Sequence, residues 1–311
     1  MISKLQQKLD AGEFVITAEV CPPKGADCAE FLAKAKALHG IADAINVTDN
    51  QGANMRISPL AAAALLVREG IEPIFQITCR DRNRMALQSD LLGAAALGVR
   101  NVLALTGDHI SFGDHRQAKP VFDLDSVQLL QTIAELNAGK DLAGHPLHGT
   151  PSFYIGAAAA PEAEPFAPTL FKLEKKAAAG ARFLQTQAVF DPARLRAFRE
   201  AVAPLGVKVI AGILLLKSAR MARFVTANIP GLRVPDYLVA ELESAESPLA
   251  KGVEIAQRLA AEARPFCDGL HIMAMGREDL IPEILKAGEW GMGNGEWSFS
   301  SPFEKGGLRG I

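Results

Sequence analysis

The stretch EPIFQITCRDRNRMALQSDLLGAAALGVRNVLALTGD, residues 72–108, contains the unit from which the fold is built. EPIFQITC (72–79) and NVLALTGD (101–108) are short apolar runs bounded by breakers, which is how buried strands read. Between them NRMALQSDLLGAAALG (83–98) carries apolar residues at helical spacing and closes on Gly98. Strand, helix, strand in so short a span implies a parallel pair joined by a crossover helix.

Working outward, the same alternation repeats. Strand-like runs recur as FVITAEV (14–20), DAINVTD (43–49), SFYIGAAAA (152–160), RFLQTQAVF (182–190), KVIAGILLL (208–216) and GLHIMAM (269–275), giving eight in all. Helical segments separate them, with two or three helices expected between Ser218 and Pro265 and a last one over 277–288. Ser58, Asp125, Asp191 and Ser218 stand at expected helix starts, and Gly40, Gly70, Gly98, Gly139, Gly180 and Gly206 at expected ends. Eight βα units at this length fit an α/β fold of the closed (β/α)8 TIM barrel type, one catalytic domain over residues 1–288. An open doubly wound sheet is the competing solution, but no GxGxxG follows the first strand. The glycine cluster GMGNG (291–295) follows no strand and falls in a Gly/Ser-rich tail, 289–311, read as a mobile extension, with a docking segment for a partner as the alternative.

Composition excludes several classes. A formal net charge of −2 leaves no electrostatic footprint for nucleic acid. The start, MISKLQQKLDAGEF, has charges where a signal peptide needs an apolar core, and no apolar run approaches the ~18 residues of a membrane span. A cytoplasmic protein is expected. Cys21, Cys28, Cys79 and Cys267 lack CxxC spacing, so neither a disulfide framework nor a metal site is read from them.

In such barrels chemistry sits at the C-terminal ends of the strands. Alternation along FVITAEVCPPK points Val15, Thr17, Glu19 and Cys21 into the barrel and Phe14, Ile16, Ala18 and Val20 toward the helices. On the fourth strand the same reasoning turns Val102, Ala104, Thr106 and Asp108 inward and Leu103 and Leu105 outward. Asn46, Thr48, Asp49 and Asn50 from strand two, Gln76 and Thr78 from strand three, and Gln185 and Gln187 from strand six complete a polar mouth. Two carboxylates, Glu19 and Asp108, reach it; a buried acid without a partner is destabilising and calls for a role. The loop 107–123 is long for a βα connection and is expected to cover a ligand, with His109 and His115 exposed or at the ligand's edge. Lys172 and Lys176 lie one helical turn apart, as a solvated face or a phosphate clamp.

The segments EVCPPK, VTDN, ITCRDRNRMALQSDLLGAAALGVRNVLALTGD, KKAAAGARFLQTQAVFD, AGILLLKSARMARF and GLHIMAMGRE, in this order, resemble the methylenetetrahydrofolate reductase family over roughly residues 10–288. The resemblance implies a barrel holding FAD non-covalently that reduces the methylene group of 5,10-methylenetetrahydrofolate to the methyl of 5-methyltetrahydrofolate. Position by position, Glu19 matches the general acid and Asp108 the aspartate beside flavin and pterin. Thr48, Gln76, Thr106, Gly107, Phe122, Asp123, Ala158, Lys172 and Lys176 fall where the family contacts FAD, with Asp49 beside Thr48 counted among them. Gln187, Arg220, Phe224 and Arg277 fall where it contacts folate or the nicotinamide, and Glu19 meets the folate as well. The better-known bacterial enzymes carry an aromatic after the strand-two threonine, a histidine at position 76 and an arginine at position 106; here stand Asp49, Gln76 and Thr106. The pattern is closer to short homologues of anaerobes and actinobacteria, some of which work beside a second, metal-containing subunit. The electron donor implied is therefore NADH, NADPH or such a partner, and a homo- or hetero-oligomer is expected.

On this reading a donor reduces FAD, folate replaces the donor, and hydride passes to the folate while the protein supplies a proton. N10 leaves poorly unless protonated; Glu19 is the expected acid, and burial in the mouth is the means of keeping its carboxyl protonated. Asp108, if ionised, stabilises the cationic iminium. Two other classes fit the residues less well: a flavin-free folate-binding methyltransferase barrel, and a non-catalytic subunit that lends its fold to a partner.

Overall fold

Eight parallel strands pair in chain order and the eighth returns to the first, so the sheet has no edge. They are β1 (Val15–Glu19), β2 (Ala44–Val47), β3 (Pro73–Thr78), β4 (Asn101–Leu105), β5 (Tyr154–Ala159), β6 (Phe183–Ala188), β7 (Lys208–Leu214) and β8 (Gly269–Met273). The structure is a computed structural model that describes residues 2–229 and 231–286. It is the (β/α)8 barrel expected from the sequence, and every strand-like run is a strand. The glycine cluster at 291–295 and the tail lie outside the described residues.

The helices alternate with the strands. They are α2 (Ala29–Ala37), α3 (Pro59–Arg68), α4 (Arg84–Ala96), α5 (Ser126–Asn137), α6 (Phe166–Ala178) and α7 (Pro192–Val202), then three between β7 and β8, α8 (Ala219–Asn228), α9 (Asp236–Ser244) and α10 (Pro248–Ala263), and last α11 (Ile281–Leu285). Asp125 caps α5 by accepting from Val127 N and Gln128 N, and Gln128 returns the bond to the Asp125 backbone. Asp191 caps α7 by accepting from Ala193 N and Arg194 N and Ser218 caps α8 by accepting from Met221 N, without the reciprocal bond, whereas Ser58 stands before α3 without a side-chain cap bond. The six glycines expected at helix ends all have positive φ, between 66° and 110°. No helix among the described residues is long and apolar enough to cross a membrane.

An additional helix, α1 (Lys4–Asp10), was not expected from the sequence. Leu5 and Leu9, one turn apart, enter the N-terminal end of the barrel and pack with Val15, Ile74, Leu103, Tyr154, Phe183 and Ile210. Glu72 accepts hydrogen bonds from Lys4 N (2.7 Å) and Leu5 N (2.9 Å), satisfying two of the helix's free donors. The barrel is therefore closed below and open for chemistry above.

The expected phase of β4 is reversed. Leu103 and Leu105 belong to the interior cluster, and Val102 and Ala104 pack in the larger core against the helices. The reason is physical: both faces of a strand in a parallel barrel are apolar, so NVLAL carries no polarity contrast to fix its orientation. Strand β1 does carry that contrast, and Ile16, Ala18 and Val20 pack in the outer core as expected, with Val15 inside.

Candidate active site

Above the apolar plug the barrel interior becomes polar. Thr17, Asn46, Gln76, Gln185 and His271 are all buried there. Register sets them side by side, Thr17 opposite His271 and Glu19 opposite Asn46. Gln76 Nε2 donates to Asn46 Oδ1 (3.1 Å), and Asn46 Nδ2 lies 3.3 Å from His271 Nδ1. Thr17 Oγ1, which donates to the Leu270 carbonyl, lies 3.1 Å from the same Nδ1, so this nitrogen meets a hydroxyl oxygen on one side and an amide donor on the other. His271 Nε2 is buried, makes no hydrogen bond among the described residues, and lies 3.8 Å from Glu19 Oε2. Glu19 Oε1 accepts from Gln51 Nε2 (3.0 Å), and the glutamate side chain keeps 11% exposure. The carboxylate stands at the boundary between the polar interior and the mouth.

A cavity of about 350 Å³ is lined from the ends of β2, β3, β4, β5 and β6 and from α6; Gln51, which holds Glu19, lines it, and Glu19 itself does not. The cavity brings together Asp49, Gln76, Thr106, Gly107, Asp108, Ala158, Lys172, Lys176 and Gln187, nine of the expected residues. Asp108 presents an exposed carboxylate that makes no hydrogen bond among the described residues. Gly107 beneath it has φ of 92°, and a Cβ there would lie 2.9 Å from that of Thr78, so only glycine lets the chain pass. Asp49 is otherwise engaged: its buried carboxylate accepts from Thr78 N (2.8 Å), Thr78 Oγ1 (2.9 Å) and Arg82 Nη1 (2.8 Å). Thr48 is buried below and donates to Cys21 Sγ (3.5 Å).

The opposite wall is cationic. Lys176 is buried, donates to the Ala158 carbonyl (2.6 Å), and has its pKa pushed down to about 8, first by burial and then by the Lys172 ammonium beside it. Lys175, between them in sequence, turns away and lies over the Phe171 ring. Gln187, which lines the cavity, has a buried Oε1 without a hydrogen-bond partner among the described residues, which calls for a donor from a ligand. Paired ammonium groups at one side and this amide oxygen suit a phosphate-bearing ligand with an N–H to offer.

The 107–123 loop does not hang free. Gly113 passes so close to the Ala53 carbonyl that a Cβ would collide with it, and Asp114 accepts from Met55 N (3.1 Å) and Lys24 Nζ (2.5 Å). The returning arm pairs Val121 N with Arg80 O and Phe122 N with Cys79 O. Phe122 has φ of 43°, rare for a bulky residue, and stacks with exposed His109. Asp123 is occupied by Arg84 in a bidentate pair that holds its pKa down to about 2. Phe122 and Asp123 therefore sit at the rim, not in the cavity wall. Arg220 and Phe224 are exposed on α8, and Arg277 is paired with Asp279 (2.7 Å); none of the three lines the cavity. Among the described residues no group of three His, Cys, Asp or Glu is placed to hold a metal ion.

Two residues of this site, His271 and Arg80, were not anticipated. His271 follows Gly269 by two on β8, so alternation places it inside once the barrel closes and β8 meets β1. Arg80 follows β3 directly and is 2% exposed because the 107–123 loop folds back across it.

The family model described as "Methylenetetrahydrofolate reductase" matches residues 4–289. A probable methylenetetrahydrofolate reductase (NADPH) of Caenorhabditis elegans is 24% identical over 312 residues, covering 92% of this chain and 44% of that protein. The 5,10-methylenetetrahydrofolate reductase of Salmonella typhimurium is 28% identical over 187 residues, 58% of this chain and 56% of that protein. The chain thus spans about half the length of the curated relatives it matches. Among solved structures, an uncharacterized protein from Clostridium thermocellum that binds two copies of 5-methyl-5,6,7,8-tetrahydrofolic acid superposes with a TM-score of 0.59 at 16% identity, over 91% of this chain and 97% of that one. DmoA from Hyphomicrobium sulfonivorans superposes with a TM-score of 0.52 at 12% identity, over 87% and 86%. At these identities the structural likeness speaks to the fold.

Proposed function

The chain belongs to the methylenetetrahydrofolate reductase family, and from that premise we propose that it reduces 5,10-methylenetetrahydrofolate to 5-methyltetrahydrofolate, with FAD as cofactor and Glu19 as general acid. The observation that carries the proposal is the placement of Glu19 at the mouth, held by Gln51 and faced by His271, beside a cavity with a cationic wall. Lys172 and Lys176 would hold the diphosphate, and Gln187 with Gln76 would meet the ring. When bound, FAD would supply the hydride for the methylene carbon.

The remaining chemistry falls to the protein. Cleaving the bond from the methylene carbon to N10 requires a proton on N10, and Glu19 is the acid at the mouth able to deliver one. His271 Nε2, 3.8 Å from Glu19 Oε2, and Gln51 Nε2 flank the carboxyl group and orient it at the mouth. As N10 leaves, positive charge develops at N5, and the unpaired Asp108 carboxylate at the cavity edge is the group that stabilises it. The Clostridium thermocellum protein of the same fold binds a reduced folate, which agrees with this assignment.

The electron donor is NADH, NADPH or a protein partner. Anaerobic flavin reduction by each, followed by addition of methylenetetrahydrofolate, tests the proposal as a whole. Bleaching of the bound flavin and recovery of its colour on adding the folate are expected; a protein that binds no flavin would overturn it.

A further inference from the structure

Arg80 stands immediately after β3 and, though charged, is almost wholly buried. Its Nε and Nη2 donate to the Asp81 carboxylate (2.9 and 2.7 Å). Nη2 also reaches the carbonyls of Asp49 (3.4 Å) and Asn50 (3.3 Å), and Nη1 reaches that of Asp108 (3.4 Å). One guanidinium thus ties together the ends of three consecutive strands, β2, β3 and β4. Asn50 adds to the same knot by donating from Nδ2 to Asp81 (3.3 Å).

Stability does not account for an arginine here. Replacing a buried ion pair by apolar groups of similar volume is often neutral or stabilising, so such a pair is weak evidence of a structural need. Position accounts for it better. The Asp108 side chain has no hydrogen bond among the described residues, so its place follows from its backbone, which Arg80 grips through the carbonyl. On the other side, Asn50 adopts a left-handed conformation with φ of 46°, uncommon outside glycine. Its carbonyl is held by Arg80, and the next residue, Gln51, donates to Glu19.

We propose that Arg80 is a positioning residue for the reaction: its guanidinium fixes the separation of the two acids, Asp108 through its own carbonyl and Glu19 through the Asn50–Gln51 turn. The roles of the two acids rest on the reductase reading; the brace itself does not. A lysine keeps the charge but cannot fan out to carbonyls on both sides, so charge alone does not suffice.

The test uses Arg80→Lys and Arg80→Ala in the full chain. Hydrogen exchange of the ligand-free protein is expected to rise together over 49–51 and 106–109 in both variants, with the outer core unaffected. In the holoenzyme, kcat for folate reduction falls about tenfold or more while flavin reduction by dithionite is unchanged. Guanidinium on the order of tens of millimolar, far below denaturing concentrations, restores both readouts in Arg80→Ala, and equal sodium chloride restores neither. Unchanged exchange in the two segments, or exchange rising throughout the barrel, would overturn the inference. If the wild-type chain reduces no folate, the reductase reading has failed, and the exchange result still decides the brace.

Discussion

His271 Nε2 lies 3.8 Å from Glu19 Oε2, inside a barrel where both residues are otherwise surrounded by protein. The contact is too long for a hydrogen bond, so the imidazole acts on the carboxyl group through its position. Asn46, itself held by Gln76, and Thr17 set that position by their contacts with Nδ1.

Asn46→Leu removes one of the two side chains that orient the His271 ring beside Glu19. Folate reduction is expected to fall about tenfold with flavin reduction by dithionite intact. A wild-type rate of folate reduction in this variant contradicts a role for the contact.

Asp108→Asn keeps the shape of the side chain and removes its charge. Weaker folate binding is expected, with a shift of the bound flavin's midpoint potential, because a full charge at the cavity edge is lost. Titration with 5-methyltetrahydrofolate and a reductive titration of the flavin measure the two effects; no change in either excludes the role.

If Lys176 holds the FAD diphosphate as proposed, its pKa, pushed down to about 8, should make cofactor binding depend on pH. Below that value the ammonium is already charged and binding the diphosphate takes up no proton. Above it, binding must recharge the lysine, so FAD affinity falls by up to about tenfold per pH unit until the pKa of the bound state is reached. Lys176→Met should bind FAD more weakly at neutral pH and lose this dependence. A flat wild-type profile from pH 7 to about 10 would remove Lys176 from the phosphate site.

Gly156 on β5 faces the ring of Phe183, whose Cζ would stand 2.1 Å from an added Cβ. Gly156→Ala should therefore destabilise the barrel by about 1–3 kcal/mol through overpacking, seen as a lower denaturant midpoint. Wild-type stability would show that Phe183 has room to move.

The barrel was legible because eight apolar runs, their capping residues and their closing glycines all agree with one architecture. The mouth was legible where one strand carried both polar and apolar residues: Glu19 follows from the contrast along FVITAEV. NVLAL has no such contrast, and its phase emerged only from packing. α1 is seven residues long with two apolar positions, and its pairing with Glu72 lies far along the chain. His271 needed the closure of β8 on β1 to acquire meaning. Arg80 needed the fold of a distant loop to become buried, which no local pattern announces.

The central claim is that Glu19 delivers the proton for reduction of the folate. The measurement is a pair of half-reactions in Glu19→Gln: anaerobic reduction of the bound flavin by dithionite, then its reoxidation by methylenetetrahydrofolate in stopped flow. Flavin binding and reduction should match the wild type, while reoxidation by the folate slows by about 10²–10⁴-fold, the range for loss of a general acid. Reoxidation within a few-fold of the wild-type rate would contradict the account.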